Sequence, residues 1–302
     1  MSKIYKALEK AERDRRKEEE SKWELPSSEP QEVPEEQKTQ PELRMIEPAV
    51  HVPQLMASFQ PGSLAAEQFR KLRGHLLRMK SPDSPRAIMV TSATNGEGKT
   101  FVAANLAAGI ATDLHTQALL VDCDLRNPSL SEWFDLPKTK GLSDYLSGNG
   151  ATCEYMFKTG LEKLSLLPAG TIQQNPTELI GSKKMEAFIR ELKSQQSNRY
   201  IIFDATPVLA TTEPEVLGRL VDGILFVVRA GLTPRETIQQ AMRSLEKEKI
   251  LGLVLNDLNF KSSALHSRYF GSGGYYYEYA YGRKRHEEKR KWWQRPFRKK
   301  KE

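Results

Sequence analysis

Cysteine is scarce. Only Cys123 and Cys153 occur in 302 residues, and neither stands in a CxxC or Cys/His spacing. That excludes a disulfide-stapled module and a zinc site of the usual spacing, and it fits a reducing compartment. Long apolar runs are also missing. Hydrophobic residues make up 38% of the chain, and no stretch approaches the roughly 20 apolar residues that cross a bilayer. The opening "MSKIYKALEKAERDRRKEEE" lacks the apolar segment of a secretory signal. The expectation is a cytoplasmic chain, peripheral to the inner face of the cell membrane through a partner or its basic tail. Charge of one sign is absent from most of the molecule. The formal net charge is +7, but residues 283–302 alone contribute +8 and the remainder sums to −1. The body is therefore not expected to bind nucleic acid.

Low hydrophobic content with 28% charged residues predicts a normal globular core flanked by disordered tails. Residues 1–20 place Ile4, Ala7, Leu8 and Ala11 at helical spacing, which reads as a short amphipathic helix. Residues 21–62 carry seven prolines among many Glu, Gln and Ser, the composition of a disordered linker. A helix follows in "SLAAEQFRKLRGHLLRMK", with Ser63 as cap and Leu64, Phe69, Leu72, Leu76 and Leu77 as its apolar face. Continuous apolar strands then alternate with helices: "RAIMVTSA", "ALLVD", "KLSLLPAG", "RYIIFD", "DGILFVVRA" and "ILGLVLN" are the strands. This predicts an α/β fold, a doubly wound, mostly parallel sheet with helices on both faces, over residues 63–260. Residues 261–282 form a Tyr-rich tail and 283–302 a basic, aromatic one.

"TSATNGEGKT" lies between the first strand and the first core helix. Ala93, Thr94, Asn95, Gly96, Glu97, Gly98, Lys99 and Thr100 match the phosphate-loop spacing, with Ala in place of the first Gly and position 101 closing the segment. Gly96 and Gly98 let backbone N–H groups turn toward phosphate oxygens at a helix N-terminus. Lys99 would reach the β- and γ-phosphates of ATP, and Thr100 would offer its hydroxyl to Mg²⁺. Three carboxylates end strands nearby: Asp122 and Asp124 in "ALLVDCDLRNP", and Asp204 in "RYIIFDATP". Ligands of doubly wound sheets bind beyond strand C-termini. Alone, each Asp is a common loop starter. Together with a phosphate loop they suggest metal holding and base catalysis.

These motifs resemble the bacterial tyrosine kinases, or BY-kinases, of capsule and exopolysaccharide systems. The resemblance covers roughly residues 60–282. It rests on "ATNGEGKT", "LLVDCDLRNP", "IIFDATP", "EQFRKLR" and the tyrosine tail, with "GLSDYLSG" and "LPAGTIQQNPTELI" also similar. It implies a P-loop NTPase of the Walker type that transfers phosphate from ATP to tyrosine. Lys99 and Thr100 would bind phosphates and Mg²⁺, Asp124 and Asp204 would hold the Mg²⁺ shell, and Asp122 would be the base. Two departures are visible: Asn95-Gly96 where Pro-Gly is usual, and Ala-Thr-Pro where Thr-Pro-Pro is common. Neither removes a reacting group. The implied partners are an integral-membrane polysaccharide co-polymerase as activator and a protein-tyrosine phosphatase.

Several features keep two readings. Glu67, Arg70 and Arg73 share a helix face. They are either a local ion pair or, as the resemblance implies, the contact that joins subunits into a ring. Asn256 either reads the adenine edge or ends a strand in a turn. Tyr269, Tyr275, Tyr276, Tyr277, Tyr279 and Tyr281 are phosphoacceptors or a sticky aromatic tail. The basic segment, with Trp292, Trp293 and Phe297, suits an anionic membrane surface or plain solvation. The competing function is a nucleotide-switch ATPase that positions partners on the membrane, akin to division-site ATPases. Those carry an extra lysine near the start of the loop, which "TSATNGEGK" lacks.

Overall fold

The computed structural model describes residues 62–79, 84–136 and 139–257, with isolated positions 10, 12, 13, 15, 44, 45, 52 and 55. The chain divides into two units, Met1–Gln40 and Pro41–Glu302. In the first, the four described positions are helical. The tyrosine cluster and the basic segment lie outside the described residues, as does most of the expected linker.

The second unit is built on one eight-stranded sheet. Its strands are β1 (Arg44–Met45), β2 (Ala87–Ser92), β3 (Gln117–Asp122), β4 (Phe157–Lys158), β5 (Leu164–Leu167), β6 (Arg199–Asp204), β7 (Gly223–Arg229) and β8 (Ile250–Asn256), in the order β1-β4-β5-β3-β6-β2-β7-β8. Every neighbouring pair is parallel except β4 with β5. The α/β fold expected from the sequence is thus present.

Strand residues alternate between two separate cores. Met89, Leu119, Val121, Ile201, Phe203, Ile224 and Phe226 face one. Ile88, Val90, Leu120, Ile202, Leu225 and Val227 face the other. A sheet apolar on both faces must be covered on both, which is why its strands read as unbroken apolar runs. The first face is covered by α4 (Leu142–Ser147), α6 (Lys183–Gln195), α7 (Glu213–Leu220) and α8 (Arg235–Arg243). The second is covered by α1 (Leu64–Arg78), α2 (Lys99–Ala111) and the short α3 (Leu130–Trp133). Helix α5 (Pro176–Ile180) closes the set.

α2 is buried on nearly every side. Its run of Ala and Gly lets it lie close under α1 and over the sheet. Ser63 caps α1 as expected, accepting from the Ala66 N–H at 3.1 Å. The apolar face of α1 is narrower than expected: Ala66, Phe69 and Leu76 are buried, whereas Leu64 is exposed. Leu64 is the first residue of the helix, beyond the reach of α2.

The linker reading of 21–62 fails at four positions. Arg44–Met45 pair with Phe157 and Lys158. Val52 and Leu55 are buried in the second core, held in one turn by the bond from Leu55 N–H to Val52 O. Two apolar residues three apart are lost when composition is averaged over a proline-rich stretch.

Candidate active site

Strand β2 ends at Ser92, α2 begins at Lys99, and the loop between them is the expected phosphate loop. Thr94, Asn95 and Gly96 are exposed, and Glu97 is buried. Gly96 and Gly98 have φ of +79° and +89°, the left-handed region that disfavours a side chain. At Gly98 a Cβ would also lie 1.9 Å from the Asn256 side-chain nitrogen. Position 101, counted with the loop in the sequence, is Phe101. Its ring packs edge-on against Phe69 at 5.7 Å, so it belongs to the α1–α2 contact and not to the nucleotide.

The three carboxylates meet at neighbouring strand ends. Asp122 and Asp204 are paired in register on the adjacent strands β3 and β6, and adjacent strands lie only about 5 Å apart. Both are fully buried. Burial raises the proton affinity of Asp122 well above the ordinary carboxylate range, and the Asp204 charge adds to it. The backbone N–H groups of Asp124 (3.1 Å) and Leu130 (3.2 Å) partly offset this by donating to Asp122. Asp122 therefore also shapes the loop that follows β3.

Burial likewise pushes Asp204 up to about 6, against the opposing influence of the Lys99 charge and the nearby Thr100 hydroxyl. Neither Asp204 oxygen accepts a hydrogen bond of good geometry. Asp124 accepts from the Asn127 N–H at 2.9 Å and pairs with Lys99 Nζ at 3.3 Å. Burial alone would lower the Lys99 ammonium. The carboxylates Asp204, Asp124 and Asp122 outweigh it and hold its pKa above the ordinary lysine value.

A buried, unpartnered carboxylate beside a lysine and a threonine hydroxyl is what a cation bound together with phosphates would complete. Among the described residues no cluster of three or more His, Cys, Asp or Glu could cage a metal by itself. Mg²⁺ fits this pattern, since it keeps waters and takes substrate phosphates as ligands beside one or two carboxylates. Thr100, Asp124 and Asp204 are the residues that would hold it.

Other contacts were not legible in the sequence. The Asn256 amide donates to Glu97 O at 2.9 Å, so it braces the loop backbone. Thr233, after β7, donates to the Glu97 carboxylate. Its sequence, "GLTPRE", reads only as a helix start. Arg126 donates twice to Glu213 Oε1, from Nε at 3.0 Å and Nη2 at 2.8 Å, and Thr177 donates to the same atom at 3.0 Å. This clamp joins the loop after β3 and the N-terminus of α7 to α5. "GLSDYLSG" and "LPAGT" also prove to be one unit: Asp144 accepts from the N–H groups of Gly141 (2.9 Å) and Thr171 (3.0 Å), and a Cβ at Gly141 would lie 2.1 Å from Pro168 O.

The oligomer residues divide. Arg70 donates to Glu67 from Nε (2.9 Å) and Nη2 (2.5 Å) on the open face of α1. Arg73 turns inward and donates to Gly109 O and Thr112 Oγ1, both at 2.9 Å, capping the C-terminus of α2.

No protein-family model matches the chain. Its similarity to named proteins is extensive. The tyrosine-protein kinase YwqD of Bacillus subtilis is 34% identical over 226 residues, covering 74% of this chain and 90% of that one. The tyrosine-protein kinase wzc of Salmonella typhi is 32% identical over 232 residues, but there the chain spans only 31% of its relative's length. Among solved structures, the kinase domain of Escherichia coli tyrosine kinase ETK gives a TM-score of 0.64 at 30% identity, covering 69% of this chain and 82% of that one. The chimerical protein CapA2B2 gives 0.63 at 28% identity, covering 72% and 95%. With YwqD matched over nine-tenths of its length and the phosphate loop, Lys99 and the carboxylates gathered at the C-terminal ends of the central strands β3, β6 and β2, the chain belongs to the bacterial tyrosine-protein kinases.

Proposed function

We propose that this protein is an ATP-dependent tyrosine autokinase that phosphorylates its own C-terminal tyrosine cluster, between subunits of a ring, and thereby regulates exopolysaccharide or capsule synthesis or export. The observation that carries the reading is Lys99 held between Asp124 and the unpartnered Asp204 at the N-terminus of α2, in a chain that also carries six closely spaced tyrosines between 269 and 281.

ATP phosphates are received by the loop N–H groups of 93–100 and by the positive end of α2. Lys99 leaves Asp124 for the transferring phosphate and stabilises its charge. A tyrosine oxygen forms the new bond to the γ-phosphorus as the bond to the ADP oxygen breaks, and the phenol proton passes to Asp122. Burial and the Asp204 charge make Asp122 a stronger base, once ionised, than an exposed carboxylate. Mg²⁺, when bound by Thr100, Asp124 and Asp204, supplies neutralising charge to the phosphates. An integral-membrane co-polymerase is assigned as activator, a protein-tyrosine phosphatase as the restoring partner, and an anionic lipid surface to the basic tail. Among the described residues no helix is long and apolar enough to cross a membrane.

The test is phosphotyrosine immunoblotting after incubation with ATP and Mg²⁺. Wild type should label, and Lys99→Met should lose at least 100-fold in rate. Undiminished labelling in the variant removes the assigned site. ATP hydrolysis without any phosphotyrosine would instead make the chain a nucleotide-switch ATPase.

A further inference from the structure

A buried carboxylate inside a phosphate-binding loop needs a physical reason. Glu97 is 2% exposed, and its negative charge opposes the anion that the loop is expected to receive. It does not face the Lys99–Asp124 pair through any hydrogen bond. Its Oε2 accepts the Thr94 N–H at 2.9 Å, which closes the loop on itself. Its Oε1 accepts the Thr233 hydroxyl, 136 residues away in sequence. Its backbone carbonyl accepts the Asn256 amide at 2.9 Å. Asn256 also occupies the space beside Gly98 that any side chain there would fill.

The rest of the loop is held by backbone carbonyls: Ala93 O accepts from the Leu209 N–H at 3.1 Å, Thr94 O from the Ser92 hydroxyl at 2.8 Å, and Gly96 O from Arg229 Nη1 at 3.5 Å. Thr94, Asn95 and Gly96 are exposed, and nothing lies within 4 Å of where a Gly96 Cβ would be. Two of the loop's residues stand at positive φ, so its backbone is not held by neighbouring helix or strand geometry. Three more hydrogen bonds converge on Glu97, and two of them come from Thr233, in the segment after β7, and Asn256, at the end of β8.

We propose that Thr233 and Asn256 are positioning residues for ATP: acting through Glu97, they hold the 93–98 loop in its phosphate-receiving shape. This rests on the nucleotide-site reading above and adds residues to it that neither touch phosphate nor belong to the loop. Removing the Thr233 hydroxyl leaves a buried acceptor short of a donor, which carries a desolvation cost. The loop can relieve that cost by swinging Glu97 outward to water. It would then lose the Thr94 bond as well, and the phosphate cradle with it.

The experiment is calorimetric titration of the full chain with ATP and Mg²⁺ at 25 °C, together with a thermal melt. Thr233→Val keeps the shape and removes the donor. Its Kd for MgATP should rise at least tenfold while the protein remains fully folded at the titration temperature. Thr233→Ser restores the hydroxyl and should return Kd to within twofold of wild type. Asn256→Asp places an acceptor against the Glu97 carbonyl and should also raise Kd at least tenfold. A Thr233→Val protein that binds within twofold of wild type overturns the inference, as does a Thr233→Ser protein no tighter than Thr233→Val. A wild-type protein that binds no MgATP overturns the nucleotide site itself, a separate failure.

Discussion

Asp204 carries a cost of burial. Its pKa of about 6 lies above the ordinary aspartate value near 4, so the folded chain prefers the protonated form. The sign follows from that: this group's contribution to stability is full below about pH 4 and is lost as pH rises through 6. In metal- and nucleotide-free protein, Asp204→Asn should therefore melt higher than wild type at pH 7.5, by on the order of a few degrees. The gain should shrink toward zero at pH 4.5. The same variant should lose Mg²⁺-dependent phosphotyrosine formation. A variant that melts lower than wild type at pH 7.5 would contradict the burial argument. Gly98 makes a second case. With φ of +89° and Asn256 in the way, Gly98→Ala should abolish MgATP binding in titration while the folded body survives.

The elements were the most legible level of the sequence. Residues 87–92, 117–122, 199–204 and 223–229 are strands buried on both faces, and their unbroken apolar runs announced as much. Strand β4, with two residues, and β1, with two, are too short for any period to register. Their pairing is dictated by the sheet edge they meet, not by their own composition. The site was legible in kind and partly in detail. Lys99, Asp124 and Asp204 converge because each follows a recognisable strand. Thr233 and Glu213 were invisible because their partners lie far off in sequence.

Helix α1 shows the same limit. Spacing put Glu67, Arg70 and Arg73 on one face, but only packing against α2 reveals that Arg73 is engaged there. The prediction belongs to this scale. Glu67→Ala with Arg70→Ala should shift an assembled protein to monomer by light scattering, with little change in melting, since a solvent-accessible pair within one helix contributes roughly 0–1 kcal/mol. Arg73→Ala should instead lower the melting temperature by a few degrees. If the double variant keeps the wild-type mass, the ring contact lies elsewhere.

Charge is distributed at the scale of the whole molecule: a nearly neutral body and a terminal +8. Truncation after Gly282 should reduce binding to phosphatidylserine-containing vesicles at low salt, and added salt should reduce wild-type binding likewise. Binding that survives truncation would move the lipid contact to another part of the chain. One element also ties distant parts of the body together. α2 is a single rod of about 20 Å. Its N-terminus is the proposed phosphate site, and its C-terminus is held by Arg73 from the helix that carries the half-buried Glu67–Arg70 pair. A rod gripped at both ends transmits small displacements rather than absorbing them. If the grip on α1 differs between free and assembled chains, thermodynamic linkage makes the effect reciprocal. Assembly then changes ATP affinity by the same factor by which ATP changes assembly, so nucleotide titrations of this protein should depend on its concentration.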